Sequence, residues 1–131
     1  MASPETRELL DLSARLLAAI TARDWGTYRD LCDPGLTAFE PEARGQLVEG
    51  LDFHRFYFEM PGEPGASRAS LCSPRVKVMG DVAVVAYVRL VQALGADGAP
   101  RTAAYEETRV WQRRKGRWRH VHFHRSAPAG G

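Results

Sequence analysis

The chain has 131 residues, 44% hydrophobic and 26% charged, which fits one compact soluble domain, read here as spanning residues 1–131, and leaves no room for a second. Eighteen basic residues stand against sixteen acidic ones, interspersed rather than gathered, so the charge pattern calls for neither nucleic acid nor a membrane surface. Two cysteines, Cys32 and Cys72, have no CxxC spacing, which argues against a zinc site or a disulfide framework and for reduced core or interface thiols.

In chain order, Ser3-Pro4-Glu5 is a helix start, because the serine hydroxyl can cap free amides and proline suits the first helical position. Leu9, Leu12, Leu16 and Ile20 then share one face of a long amphipathic helix. Asp24 caps a second, shorter helix carrying Trp25, Tyr28 and Leu31, which Pro34-Gly35 is expected to end. Residues 36–40 suit a short strand and residues 46–49 another, before a buried aromatic helix over residues 51–59. Two prolines and two glycines in Pro61-Gly62-Glu63-Pro64-Gly65 make that stretch a loop. Residues 1–3 and 127–131 are expected to be flexible ends. The N-terminus has no basic patch followed by an apolar run, so neither a signal peptide nor a membrane span is expected, and a cytoplasmic location is.

The second half reads as a meander of strands over roughly residues 68–79, 82–94, 101–113 and 117–125, with turns at Gly80-Asp81, Asp97-Gly98 and Lys115-Gly116. Helices first and strands afterwards define an α+β domain, its N-terminal helices packed on one face of a curved antiparallel sheet.

Alternation along these strands identifies polar residues that share a face with apolar ones. Arg89 keeps parity with Val85, Tyr87 and Val91; Arg109 with Tyr105 and Trp111; Arg125 with Val121 and Phe123. One such arginine is accounted for by a side chain that snorkels to water. Three at inward parity point as strongly to guanidinium groups converging in a partly apolar cavity. Charge buried there needs an acidic partner or a bound anion. Glu107 and Glu40 are the internal carboxylates that could serve, and His54, on the aromatic helix, can donate a further hydrogen bond and tune the site near neutral pH.

Other motifs compete. His120, His122 and His124 alternate and are expected to share one face with Trp118, as a subunit contact in preference to a metal site, since no nearby cysteine or carboxylate completes a ligand set. Glu106-Glu107 could supply a general base, although neighbouring arginines would lower the carboxyl pKa and weaken that role. The run Arg113-Arg114-Lys115-Gly116-Arg117 is a basic hairpin tip, read as a solvated turn ahead of a phosphate or acidic-protein site. No Gly-rich phosphate loop, Val-Ala-Ile-Lys strand, His-Arg-Asp or Asp-Phe-Gly sequence is present, so this chain carries no kinase catalytic machinery. No cofactor motif is found.

Longer blocks carry a family resemblance. The segments from Cys32 to Ala43 and from Leu47 to Glu59, with Pro100-Arg101-Thr102, Glu106 to Trp111 and Val121 to Ser126, resemble the association domain of calcium/calmodulin-dependent protein kinase II, and the likeness runs from about Glu8 to Ser126. The resemblance implies a cone-shaped fold similar to nuclear transport factor 2. It implies a non-catalytic hub that assembles with itself into stacked rings built from dimers and gathers tethered serine/threonine kinase domains. It also implies an arginine-lined pocket for small carboxylates, whose residues correspond to His54, Arg89, Arg109 and Arg125. One departure is that Met60-Pro61-Gly62 stands where the family usually has Asn-Leu-Trp, which puts closure over the pocket in question. The alternative expectation is a free-standing small-molecule-binding protein or enzyme of the nuclear-transport-factor-2-like class.

Overall fold

A computed structural model describes residues 2–61 and 67–127. Helix α1 (Pro4–Ala22) begins where expected, with Ser3 Oγ accepting from the Thr6 amide at 3.1 Å, and ends as Arg23 turns into the left-handed region. Its buried stripe is Leu9, Ser13, Leu16, Leu17 and Ala19. Asp24 caps α2 (Trp25–Leu31) by accepting from the Thr27 amide at 3.2 Å and its hydroxyl at 2.7 Å.

Helix α2 runs directly into β1 (Cys32–Phe39), so Pro34-Gly35 does not end the helix but lies inside the strand. The reason is visible in the pairing. Cys32 pairs with His120 and the ladder resumes only at Thr37, so the proline occupies an irregular stretch in which a missing N–H breaks no rung. A single 3₁₀ turn, Pro41–Ala43, and the short β2 (Val48–Glu49) follow, then α3 (Asp52–Phe58). This third helix is not the buried element expected from its aromatics. Only His54 is buried, and Phe56 is 66% exposed, because two turns of helix can turn only one face to the domain body.

Strands β3 (Ser67–Met79), β4 (Val82–Leu94), β5 (Pro100–Arg114) and β6 (Arg117–Ser126) form the meander, within a residue of the sequence reading. The six-stranded order is β2-β1-β6-β5-β4-β3. The sheet is mixed rather than antiparallel throughout: β1 lies parallel to β6. No tight turn joins those two strands, so nothing forces them antiparallel, and the direction of β1 follows from where α2 delivers the chain. Helix α1 packs across β3 and reaches β4, giving the α+β layering. The core between the layers joins Leu9, Leu16 and Leu17 of α1 to Tyr28, Leu36, Val85 and Trp111.

The β5–β6 hairpin closes through a two-residue turn. Lys115 (φ 52°) and Gly116 (φ 75°) are both left-handed between the paired Arg114 and Arg117, as a two-residue type I′ turn requires. Of the expected flexible ends, Ser3 is engaged as a cap, while Met1 and residues 128–131 lie outside the described residues, as do residues 62–65 of the expected loop. Both cysteines are free, Cys32 buried and Cys72 half-buried. Among the described residues no helix is long and apolar enough to cross a membrane.

Candidate functional site

A cavity of about 210 Å³ opens between the buried sheet face and the helices. The strands supply its floor: Arg89 on β4, Glu107 and Arg109 on β5, Phe123 and Arg125 on β6. Tyr28 of α2, His54 and Phe58 of α3, Glu40 just after β1 and Glu42 on the 3₁₀ turn supply its walls. Cross-strand register explains the floor. Glu107 stands opposite Tyr87 on one side and Arg125 on the other, and Arg109 stands opposite Phe123.

Glu107 is the anchor of the polar cluster. Its carboxylate accepts from the Tyr87 hydroxyl at 2.6 Å and from Arg109 Nη2 at 3.0 Å, with Arg89 Nη1 at 3.5 Å on the other oxygen. Burial pushes this carboxyl upward, but the Arg109 and Arg89 charges and the Tyr87 hydrogen bond together hold it below its ordinary value. Burial likewise disfavours the Arg109 charge, and Tyr87 and Glu107 more than compensate, raising it. Tyr87 itself is pushed up to about 12, by burial first and by the adjoining carboxylate, so it remains a phenol that donates to Glu107 while accepting from Arg109 Nε at 2.7 Å.

The third arm of Arg109, Nη1, lies 3.3 Å from His120 Nε2. Burial, then the Arg109 charge, holds His120 well below its ordinary value, so the ring is neutral. A neutral ring that accepts at Nε2 carries its proton on Nδ1, which faces the Cys32 sulfur at 3.4 Å. Every nitrogen of Arg109 therefore has a protein partner, and its guanidinium face lies 4.6 Å from the Phe123 ring centre.

The remaining basic groups are less fully engaged. Arg89 Nε and Arg125 Nε are buried without a hydrogen-bond partner among the described residues. Arg125 Nη2 pairs with Glu42, and its guanidinium covers Tyr105 with 5.2 Å to the ring centre. His54 Nε2 approaches Glu40 Oε1 at 3.0 Å, yet off the line of a well-formed hydrogen bond, so neither ring nitrogen is hydrogen-bonded among the described residues.

All six residues singled out from the sequence, His54, Arg89, Arg109, Arg125, Glu40 and Glu107, thus border one cavity. Their pairing differs in one respect: Glu107 serves Arg89 and Arg109, Glu40 serves His54, and Arg125 finds Glu42. Sequence reasoning missed Glu42 because strand parity says nothing about a residue on a 3₁₀ turn. Its one signal is the Glu-Pro-Glu spacing beside Glu40.

The histidine expectation is corrected. His120 pairs with Trp111 and His122 with Val110, leaving Val121 as an unpaired bulge residue. The extra residue reverses alternation, so His120 faces the core with Trp118 before the bulge and Phe123 faces it after, whereas His122 and His124 lie on the other face beside Phe39. Val121, expected inward with Phe123, is thereby displaced from that face. His122 Nδ1 instead lies 2.7 Å from the Thr37 hydroxyl. Among the described residues no group of three or more His, Cys, Asp and Glu side chains is placed to hold a metal ion.

The general-base reading of Glu106-Glu107 fares no better. Glu106 is exposed on the opposite sheet face, and both oxygens of Glu107 are engaged by cations that keep it ionised. At the hairpin tip, Arg113 is drawn to Glu5 at 2.5 Å and Asp81 at 3.0 Å, and Arg114 to Asp33 at 2.8 Å, which leaves less of the basic run for an outside anion.

A curved sheet with a helical hairpin on one face and a polar-floored cavity between them defines the nuclear-transport-factor-2-like class. A solved superfamily member of that class from Salmonella enterica is 24% identical, covers 94% of this chain and 90% of that one, and superposes with a TM-score of 0.76, a likeness that shows the fold alone. The sequence narrows the class. The family model of the calcium/calmodulin dependent protein kinase II association domain matches residues 5–129, and the chain belongs to that family. It is 49% identical over 123 residues to the rabbit (Oryctolagus cuniculus) calcium/calmodulin-dependent protein kinase type II subunit delta, covering 92% of this chain and 23% of that protein. It is 48% identical to the solved hub homology domain of Chlamydamonas reinhardtii, with a TM-score of 0.89 and coverage of 94% of this chain and 98% of that one. The chain thus spans about a quarter of the length of the kinase subunit it matches. It is the non-catalytic association domain, and kinase activity in this family lies in a separate domain.

Proposed function

We propose that this chain is an assembly module that packs with copies of itself, through dimers, into a closed ring of about a dozen or more subunits in the cytoplasm, gathering tethered serine/threonine kinase domains at high effective concentration. The observation that carries this reading is the match to an association domain over residues 5–129, nearly the whole chain. Exposed Phe39, Leu47, Phe56 and Tyr57 are consistent with surface that a neighbouring copy would cover. Size-exclusion chromatography with light scattering on the purified chain tests it. A single large particle is expected, and a monomer or simple dimer at all concentrations would refute it.

A second activity of the same module is binding of a small carboxylate in the cavity. Support comes from Arg89 Nε and Arg125 Nε, buried donors without a partner among the described residues that an anion would satisfy. The volume, about 210 Å³, lies below the ~300–1,000 Å³ of sites for drug-sized ligands and suits a short acid. The competing description, a free-standing enzyme of the same fold class, requires turnover of an acid that is lost in Arg125→Ala. A broad screen of short acids without turnover leaves binding as the function.

A further inference from the structure

The charges around the cavity balance before any ligand arrives. Among the described lining residues Arg89, Arg109 and Arg125 contribute three positive charges, and Glu40, Glu42 and Glu107 contribute three negative ones. An incoming anion therefore meets a neutral set, not a positive one, and cannot simply be added at low dielectric. One of the resident carboxylates has to give way.

Only one can do so readily. The Glu107 side chain is 0% exposed and held by Tyr87, Arg89 and Arg109, so removing it would strand two buried cations. The Glu40 side chain is 5% exposed and faces His54. Glu42 is 39% exposed, sits on the one-turn 3₁₀ segment at the cavity wall, and its one ion-pair partner among the described residues is Arg125. Rotation of its side chain would carry the carboxylate into water without stranding a second protein group.

Arg125 is correspondingly the arginine whose carboxylate partner can leave, since Arg89, which also has a buried Nε without a partner among the described residues, shares the fixed Glu107. All three Arg109 nitrogens are engaged by Tyr87, Glu107 and His120, whereas Arg125 holds Glu42 through Nη2 and leaves Nε buried and without a partner among the described residues. The geometry points to Glu42 as a resident competing anion: a ligand carboxylate binds by replacing the Glu42 carboxylate on Arg125, one for one, and Glu42 thereby sets both the affinity and the charge class the cavity accepts. This rests on the carboxylate-binding reading above and adds its mechanism. Once Glu42 has left, three positive and two negative charges remain, an excess of one, which matches a monocarboxylate and not a dianion.

Titration calorimetry of the full chain with butyrate, butyramide and succinate tests the exchange. Butyrate binds the parent chain, uncharged butyramide does not, and the dianion succinate binds more weakly than butyrate. In Glu42→Gln, which keeps the side-chain shape and removes the competitor, butyrate binds tighter by roughly fivefold, the upper range for releasing a partly exposed ion pair. In Arg125→Gln binding is lost, and Glu42→Gln no longer changes it. A crystal of the butyrate complex shows Glu42 out of contact with Arg125. If Glu42→Gln binds butyrate no tighter than the parent chain, the exchange is wrong while the carboxylate pocket stands. Tighter binding of succinate than of butyrate likewise overturns the exchange. If neither parent nor variant binds any of the acids, both readings fall together.

Discussion

The Tyr87 hydroxyl donates to Glu107 Oε1 at 2.6 Å while accepting from Arg109 Nε at 2.7 Å, so one phenol stands between a buried carboxylate and a buried guanidinium. Tyr87→Phe preserves the ring and its packing but leaves two buried charged groups each short of a hydrogen bond. Unsatisfied groups of this kind cost about 1–3 kcal/mol, more when charged. The variant is therefore expected to lose at least about 2 kcal/mol in urea unfolding. A loss under about 0.5 kcal/mol would mean that the triad relaxes around the missing oxygen, contrary to its close packing.

The same cluster sets an acid limb. The folded-state pKa of Glu107 is depressed, so the stability it contributes is fully present above the ordinary carboxyl value of 4.5 and is lost as pH falls below it. His120 also has a depressed folded value, and its buried ring favours the neutral form, so destabilisation on acidification begins earlier, as pH falls below 6.5. Two separable slopes are expected in melting temperature against pH. Glu107→Gln removes the lower one and destabilises throughout, by about 3–5 kcal/mol, because Arg89 and Arg109 lose their shared anion. His120→Gln flattens the upper slope and leaves the lower one. Identical pH profiles for His120→Gln and the parent chain would assign that slope elsewhere.

How much of this was legible in the sequence depends on what each feature obeys. The floor of the cavity follows from period-two alternation, and β4 and β5 keep strict alternation through Arg89, Glu107 and Arg109, so parity alone places those side chains inward. On β6 the rule fails, since the bulge at Val121 adds a residue that no composition marks, and it carries His120 into the core while sending His122 and His124 to the other face. Arg125 remained legible only because Phe123 and Arg125 both follow the bulge. Glu42 was invisible for a related reason: its position depends on a 3₁₀ turn whose direction is fixed by tertiary packing. The parallel pairing of β1 with β6 is likewise a property of the whole chain path, not of either strand.

Local turn chemistry offers a stabilising change. Lys115 occupies the first left-handed position of the β5–β6 turn at φ 52°, a conformation that asparagine tolerates better than lysine. Lys115→Asn creates the Asn-Gly pair most favoured in type I′ turns, and the side chain it replaces is exposed. The expected gain is on the order of 0.5–1 kcal/mol in unfolding free energy. Unchanged or lower stability would show that Lys115 makes a contact in solution that offsets its backbone strain.

Arg109 and Arg125 line the same cavity yet should separate stability from binding. Arg109 is fully buried, saturated by Tyr87, Glu107 and His120, and packed on Phe123, so Arg109→Gln leaves Glu107 with the Tyr87 hydrogen bond and the longer Arg89 contact as its one ion pair among the described residues. That change is expected to destabilise by about 3–5 kcal/mol, the range for breaking a buried charge pair from one side. Arg125 pairs with a carboxylate that can turn to water, so Arg125→Gln is expected to lose less than about 1 kcal/mol of stability. Its loss of butyrate binding should nevertheless be complete, because the guanidinium that exchanges Glu42 for the ligand carboxylate is gone. Parallel urea unfolding and butyrate titration of the two variants give the comparison. If Arg109→Gln folds as stably as Arg125→Gln, the cluster on Glu107 is not the structural anchor its geometry implies, and the division between a structural and a ligand-facing arginine fails.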